Sequence, residues 1–172
     1  MKKVTYRMDD FFEFLSFEGT VISVANADEQ CCTQRITVRN DDNSVVNFIA
    51  TPNTYFVDHI QVNPGMRVTG WYSANAPAPL IYPPQYTAIA MAESLSWRSV
   101  KIDRFDDNLI SYDGTLRLIL SPYTIIETQN GQLYYCKLAG HVLAVQYTAT
   151  TRSIPAQTVP ERITVLCVDE PQ

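Results

Sequence analysis

Apolar and polar residues alternate in short runs along most of this chain, and they rarely recur at helical spacing. Thr20-Val21-Ile22-Ser23-Val24 and Arg35-Ile36-Thr37-Val38-Arg39 are rich in β-branched residues, the pattern of half-buried strands. Asp41-Asp42-Asn43-Ser44 then reads as a hairpin turn, because Asn and Asp tolerate left-handed backbone and bond their own main chain. Residues 45–50 return as a strand. The same order recurs later: a strand over 108–111, a Tyr112-Asp113-Gly114 turn, and a strand over 115–120. Further strands are expected at 67–72, 87–92, 142–147 and 163–168. Only residues 7–17 offer a helical alternative. There Asp9-Asp10 would cap a short helix carrying Phe11, Phe12 and Phe14, while a core-covering arm or first strand fits equally well.

The recurrence goes beyond strands. Thr51-Pro52-Asn53-Thr54 reads like Ser121-Pro122-Tyr123-Thr124, Gly65 opens a run to Trp71-Tyr72 as Gly140 opens one to Gln146-Tyr147, and Tyr82-Pro83-Pro84-Gln85 parallels Ile154-Pro155-Ala156-Gln157. Such self-similarity marks a tandem of two units, 1–94 with an N-terminal arm and 95–172. The links differ between the units: 58–65 has room for one helical turn, whereas 128–136 has room for an extra strand. The connection over 93–102 holds neither Gly nor Pro. Its alternation of Leu95, Trp97, Val100 and Ile102 predicts a strand and hence two units packed rigidly together.

Five short strands per unit, with any helix confined to the link before the fourth, predict an all-β protein. The expected architecture is two tandem small OB-like β-barrels packed together, with two packed β-sandwiches as the alternative. Units this small gain stability by burying surface on one another.

Composition narrows the function classes. Apolar residues make up 46% and charged residues 18% of the 172, a globular balance. A net charge of −5 argues against a sequence-independent grip on nucleic acid or an anionic membrane surface. Lys2-Lys3 resembles the start of a signal peptide, but Arg7, Asp9, Asp10 and Glu13 interrupt any apolar core, so a cytoplasmic location is expected. The apolar runs are strand-sized, and no membrane insertion is expected. Cys31, Cys32, Cys136 and Cys167 lack framework or zinc-site spacing and are expected as buried or half-buried free thiols.

Thr150-Thr151-Arg152-Ser153-Ile154-Pro155-Ala156-Gln157-Thr158, with the Gly140-led strand before it and Ile163-Thr164-Val165-Leu166 after it, resembles an uncharacterised β-rich domain of clostridial and related Firmicute proteins. That domain carries a Thr-Arg-Ser-Ile-Pro-(Pro/Ala)-Gln motif. The resemblance covers most of 108–167 and, more weakly, 36–91. There Gly65-Met66-Arg67-Val68-Thr69-Gly70-Trp71-Tyr72 matches, while Ala78-Pro79-Leu80-Ile81-Tyr82-Pro83-Pro84-Gln85 lacks the Arg and Ser. It implies an envelope or spore association and no assigned chemistry.

Two readings of the motif stand side by side. In one it is a connection over a barrel end, with proline blunting an exposed edge. In the other, Arg152, Ser153 and Gln157 with Tyr147, and Tyr82 and Gln85 in the first unit, form the rim of a ligand or partner site, since Arg suits bidentate anion contacts. No catalytic, metal or cofactor set is expected. His59 and His141 fall at non-equivalent points, the paired acids sit in turns, and no nucleophile elbow or Gly-rich phosphate loop occurs. Trp71, Tyr72, Tyr82, Tyr86, Tyr134, Tyr135 and Tyr147 are candidate stacking residues, or simply barrel core. The expected function is a non-enzymatic binding or assembly module acting through barrel-end loops on a protein partner or on itself. A saccharide or small-anion site at 152–157 is the alternative, and single-stranded nucleic acid a disfavoured third.

Overall fold

The computed structural model describes residues 12–168; of the 7–17 stretch, 7–11 lie outside them, and from Phe14 on the chain is strand, the alternative reading, not helix. The chain is all-β. Its first half forms a seven-stranded sheet in the order β4-β7-β5-β1-β2-β3-β6, from β1 (Phe14–Asn26), β2 (Gln34–Arg39), β3 (Val45–Ala50), β4 (Tyr55–Phe56), β5 (Arg67–Ser73), β6 (Gln85–Thr87) and β7 (Ala90–Glu93). The second half divides between a four-stranded sheet, β10-β13-β11-β8, and a two-stranded one, β12-β9. These strands are β8 (Ser99–Arg104), β9 (Leu116–Leu118), β10 (Ile125–Thr128), β11 (Val142–Tyr147), β12 (Ala156–Thr158) and β13 (Arg162–Leu166). The expected five strands per unit are therefore subdivided, and the second half is not one continuous ladder.

The subdivision has a local cause. β6 and β7 are parts of one segment that changes neighbours at Ala88-Ile89: Ala88 N–H donates to Ile49 O at 2.9 Å, and Ile89 N–H to Trp71 O at 2.8 Å. Before that point the segment runs parallel to β3, and after it antiparallel to β5. β12 and β13 repeat this, parallel to β9 and then antiparallel to β11. β4 beside β7 and β10 beside β13 are also equivalent parallel pairs.

Local chemistry explains why both halves bend alike. Thr54 Oγ1 accepts from Thr51 N–H at 3.0 Å and donates to Ala88 O at 2.6 Å. Thr124 Oγ1 likewise accepts from Ser121 N–H at 3.3 Å and donates to Pro160 O at 2.8 Å. The Pro-x-Thr motif is thus a turn whose hydroxyl ties it to the next strand segment. Gly65 and Gly140, at φ 93° and 83°, start β5 and β11 from a left-handed turn that a side chain would strain. Each donates its N–H back to the first stretch of its half at 2.8 Å, to Val21 O in β1 or to Phe105 O just after β8.

The halves differ where a side chain competes with the ladder. In the first, Asn40 Oδ1 accepts from Asp42 and Ser44 N–H at 3.1 and 2.9 Å, and this closes the β2–β3 hairpin. In the second, residues 108–111 are not the strand expected. Asp106 Oδ1 takes the N–H groups of Asn108 and Ile110 at 2.9 and 3.0 Å, and Leu109 turns left-handed, so only bridges such as Ile110 to Arg117 remain. The 128–136 link makes a single bridge, Glu127 to Leu133, instead of a full strand. The 58–65 link does hold a 3-10 turn, Val57–His59.

Three cores hold the chain. One lies inside the first half around Phe48, Ile36 and Met91, and one inside the second around Phe105, Leu143 and Ile163. The third joins Phe14, Tyr55, Val57, Trp71, Ala90 and Ala92 to Ile102, Val142, Ala144 and Leu166. Alternation along the strands accounts for this division. In β11, Leu143 and Val145 face the inner core while Val142 and Ala144 face the seam, and in β7 Met91 faces inward while Ala90 and Ala92 face the seam. Tyr55 and Thr164 hydroxyls meet across the seam at 3.2 Å. The connection over 93–102 is strand at Glu93, the end of β7, and again from Ser99, but not between, and Trp97 is 66% exposed. A turn places it outside the alternation expected of it.

All four cysteines are exposed, not buried as expected. Cys31 and Cys32 sit in the turn between β1 and β2, where Cys32 N–H donates to Asp28 Oδ1 at 3.1 Å, and Cys136 and Cys167 follow strand-like segments on the outside. A turn held by polar groups leaves no apolar pocket for a thiol.

Candidate functional site

The register makes the two rim loops equivalent. Gln85 lies opposite Asn47 in the β3–β6 pair and Gln157 opposite Arg117 in the β9–β12 pair, one residue before Tyr86 and Thr158 respectively. The peptides Tyr82–Pro83 and Ile154–Pro155 are both cis. In the second loop, Thr151 and Gln157 close a small ring: Thr151 N–H donates to Gln157 O at 2.9 Å, and Gln157 N–H to Thr151 Oγ1 at 3.0 Å. Ser153 Oγ donates to Pro155 O at 2.9 Å and meets Thr151 Oγ1 at 2.6 Å, so its hydroxyl serves the loop itself.

Arg152 projects from this ring into solvent. Gln157 lines a groove of about 470 Å³ with Ile119, Thr151 and Val159, and Arg152 is not part of its wall. Tyr147 faces a different cleft and shares a side-chain hydrogen bond with Ser99, while burial raises its hydroxyl above the usual range. Arg152, Ser153 and Gln157 therefore share one loop, and Tyr147 does not join them. In the first half Tyr82 is 83% exposed at the loop tip, and Gln85 is half-buried in β6.

The loops carry a second feature that sequence reasoning passed over. Leu80 is fully exposed, Ile81 is 52% exposed, and Ile154 in the equivalent loop is 96% exposed. The signal was available: aliphatic residues hemmed by Pro77, Pro79, Pro83 and Pro155 have little chance of joining a ladder that buries them.

The cleft that receives Tyr147 opens at the seam and has a volume of about 430 Å³. β1 supplies Ser16 and Glu18, β5 supplies Thr69 and Trp71, β7 and the connection supply Glu93, Ser94 and Arg98, and β8 supplies Ser99 and Lys101. Thr69 and Ser94 hydroxyls meet at 3.0 Å. The Arg98 side chain is only 5% exposed. It pairs with Asp58 through Nη1 and donates to Glu93 O through Nη2 at 3.0 Å, while Nε has no partner among the described residues. Lys101 is held by Asp113 and by Thr115 Oγ1 at 3.2 Å.

A smaller seam cleft of about 280 Å³ lies beside it, lined by Tyr55, Asp58, His59, Glu127 and Arg162. Arg162 Nη1 pairs with Glu127 at 2.6 Å. Asp58 and His59 both hold left-handed backbone, at φ 59° and 51°, the kind of strain that persists only where surrounding contacts impose it. The contact here is Arg98 on Asp58. Among the described residues neither histidine side chain is hydrogen-bonded to a Ser, Thr or Cys, and no cluster of three or more His, Cys, Asp or Glu is placed to hold a metal ion. No helix among them is long and apolar enough to cross a membrane. Comparison of the chain with protein-family models, with curated proteins and with solved structures returned no match.

Proposed function

We propose that this chain is a non-enzymatic binding and assembly module in which two OB-like barrels present corresponding loops to a protein partner. Support for the barrels comes from the segments 85–93 and 156–166, each of which bonds one strand at its first end (β3 or β9) and another at its second (β5 or β11). Such a segment draws the two sides of a unit together. The observation that carries the binding role is the pair of apolar loop tips. Leu80 and Tyr82 stand out from one loop and Ile154 from its counterpart, while the shoulders of the second loop are fixed by hydrogen bonds. Exposed aliphatic and aromatic side chains on a held loop have the character of interface anchors.

The reading of 152–157 as a saccharide or anion site has less to rest on, because Arg152 and the groove beside Gln157 are not one surface. The resemblance of 108–167 to clostridial and related Firmicute domains directs the partner search to envelope or spore proteins. The test is a pull-down from native lysate with the wild-type chain and with Leu80→Ser/Ile154→Ser. Both sites are on the surface, so melting temperature should not change. A partner held by the wild type and lost by the double variant supports the reading, and equal capture by both overturns it.

A further inference from the structure

The seam cleft between the halves has the lining of a ligand site, and its charge balance decides the class of ligand. Each cation in its wall already has a carboxylate partner: Arg98 has Asp58, and Lys101 has Asp113. Of its two carboxylates, Glu18 is engaged by Arg67 at 2.9 Å, whereas Glu93 has no side-chain partner among the described residues. The charge left over is one carboxylate, the wrong sign for a phosphate or an organic acid. What remains is hydrogen-bonding capacity. Ser16 contributes a hydroxyl, and the paired hydroxyls of Thr69 with Ser94 and of Tyr147 with Ser99 each keep further donor or acceptor capacity. Trp71, from the seam core, gives the wall an apolar floor.

We infer that this cleft binds a neutral polyhydroxylated ligand, a monosaccharide or the end unit of a glycan. Its C–H face lies toward Trp71 and its hydroxyls bridge Glu93, Ser94 and Tyr147. The volume, about 430 Å³, falls within the range of small-molecule sites. The cleft is composed of both halves, so the ligand binds only when the seam is formed. This site is separate from the apolar loop tips and does not rest on the protein-binding reading.

The experiment is an NMR titration of the full chain with glucose, galactose, mannose and N-acetylglucosamine. Arms with inorganic phosphate and with spermidine test the anionic and cationic alternatives. At an ordinary efficiency of about 0.3 kcal/mol per non-hydrogen atom, one sugar ring binds at about the millimolar level, so concentrations reach tens of millimolar. The expected result is saturable movement of amide signals at residues 92–101 with at least one sugar. The dissociation constant should rise about tenfold or more in Glu93→Gln and in Tyr147→Phe, and stay the same in Arg152→Ala. Both variants keep the shape of the side chain, and unchanged spectra elsewhere verify that they fold. No response to any sugar overturns the inference. So does a dissociation constant that both variants leave at its wild-type value, or a response at these amides to phosphate or spermidine alone.

Discussion

Phe48 and Gly70 in the first half stand where Leu118 and Val145 stand in the second, as the strand registers show: Phe48 lies opposite Tyr86 and Gly70 opposite Met91, Leu118 opposite Thr158 and Val145 opposite Ile163. Both pairs fill the inner core of their half. One does it with a large ring and no side chain, the other with two aliphatic residues of middling size. A Cβ on Gly70 would lie 2.6 Å from the Phe48 ring, closer than any real contact. The hydrogen-bond frame is therefore common to both halves, whereas the volume that fills it has been traded between neighbouring positions. Close packing requires such trades to be made jointly.

The largest expected effect breaks this trade. Gly70→Val forces a methyl-bearing side chain into the Phe48 ring and should cost about 3 kcal/mol or unfold the half, measured by urea denaturation. Phe48→Leu added to it recreates the Leu118–Val145 arrangement and should recover most of the loss. If the double variant is no better than the single one, the two cores are not equivalent.

A smaller effect separates the halves by pH. Asp113 anchors the turn of the second half with no counterpart in the Asn40 turn of the first. Burial alone would raise its carboxyl, but hydrogen bonds from Lys101, Ser111 and Thr115 outweigh burial and hold it at about 2. Its contribution is complete above about pH 4, where the unfolded carboxyl is ionised, and disappears as pH falls through about 2. Asp113→Asn should cost about 2 kcal/mol at neutral pH and remove that acid-labile part from the stability profile. Asp103 acts with the opposite sign. Burial raises its carboxyl despite hydrogen bonds from the Asp113 and Arg104 N–H groups, so it favours folding at low pH and this is lost as pH rises through its folded value. Urea unfolding between about pH 2 and 5 reads both; an unchanged slope in Asp113→Asn would contradict the assignment.

The smallest effect tests the shared motif. Thr54→Val and Thr124→Val each remove a hydroxyl that ties turn to strand. Thr54 is only 7% exposed, so its loss strands Ala88 O in the interior, frees the half-buried Thr51 N–H and should cost about 1 to 2 kcal/mol. Thr124 is half-buried, water reaches its partners, and the cost should be about half as large. Paired denaturation curves compare the two.

These contrasts also explain what could be read from the chain itself. The Pro-x-Thr turns, the Gly-led strands and the Asn40 hairpin were legible because their hydrogen bonds run between residues a few positions apart. Residues 108–111 were misread as a strand because Asp106, ahead of them, takes their N–H groups. The seam was not legible in detail. Tyr55 meets Thr164, and Trp71 shares a core with Val142, through contacts that no local pattern encodes. For the same reason Tyr147 was grouped with Arg152 and Gln157, its neighbours in sequence, when its side chain bonds Ser99, its partner on the neighbouring β8.

The outward-facing thiols are divided between the halves, Cys31 and Cys32 on one and Cys136 and Cys167 on the other. The molecule thus carries attachment points for a spectroscopic ruler. With Cys31 and Cys136 replaced by Ser, a pair of spin labels on Cys32 and Cys167 reports the distance between the halves in solution. Under sugar titration, the width of that distribution would tell a clasp from a fixed bowl.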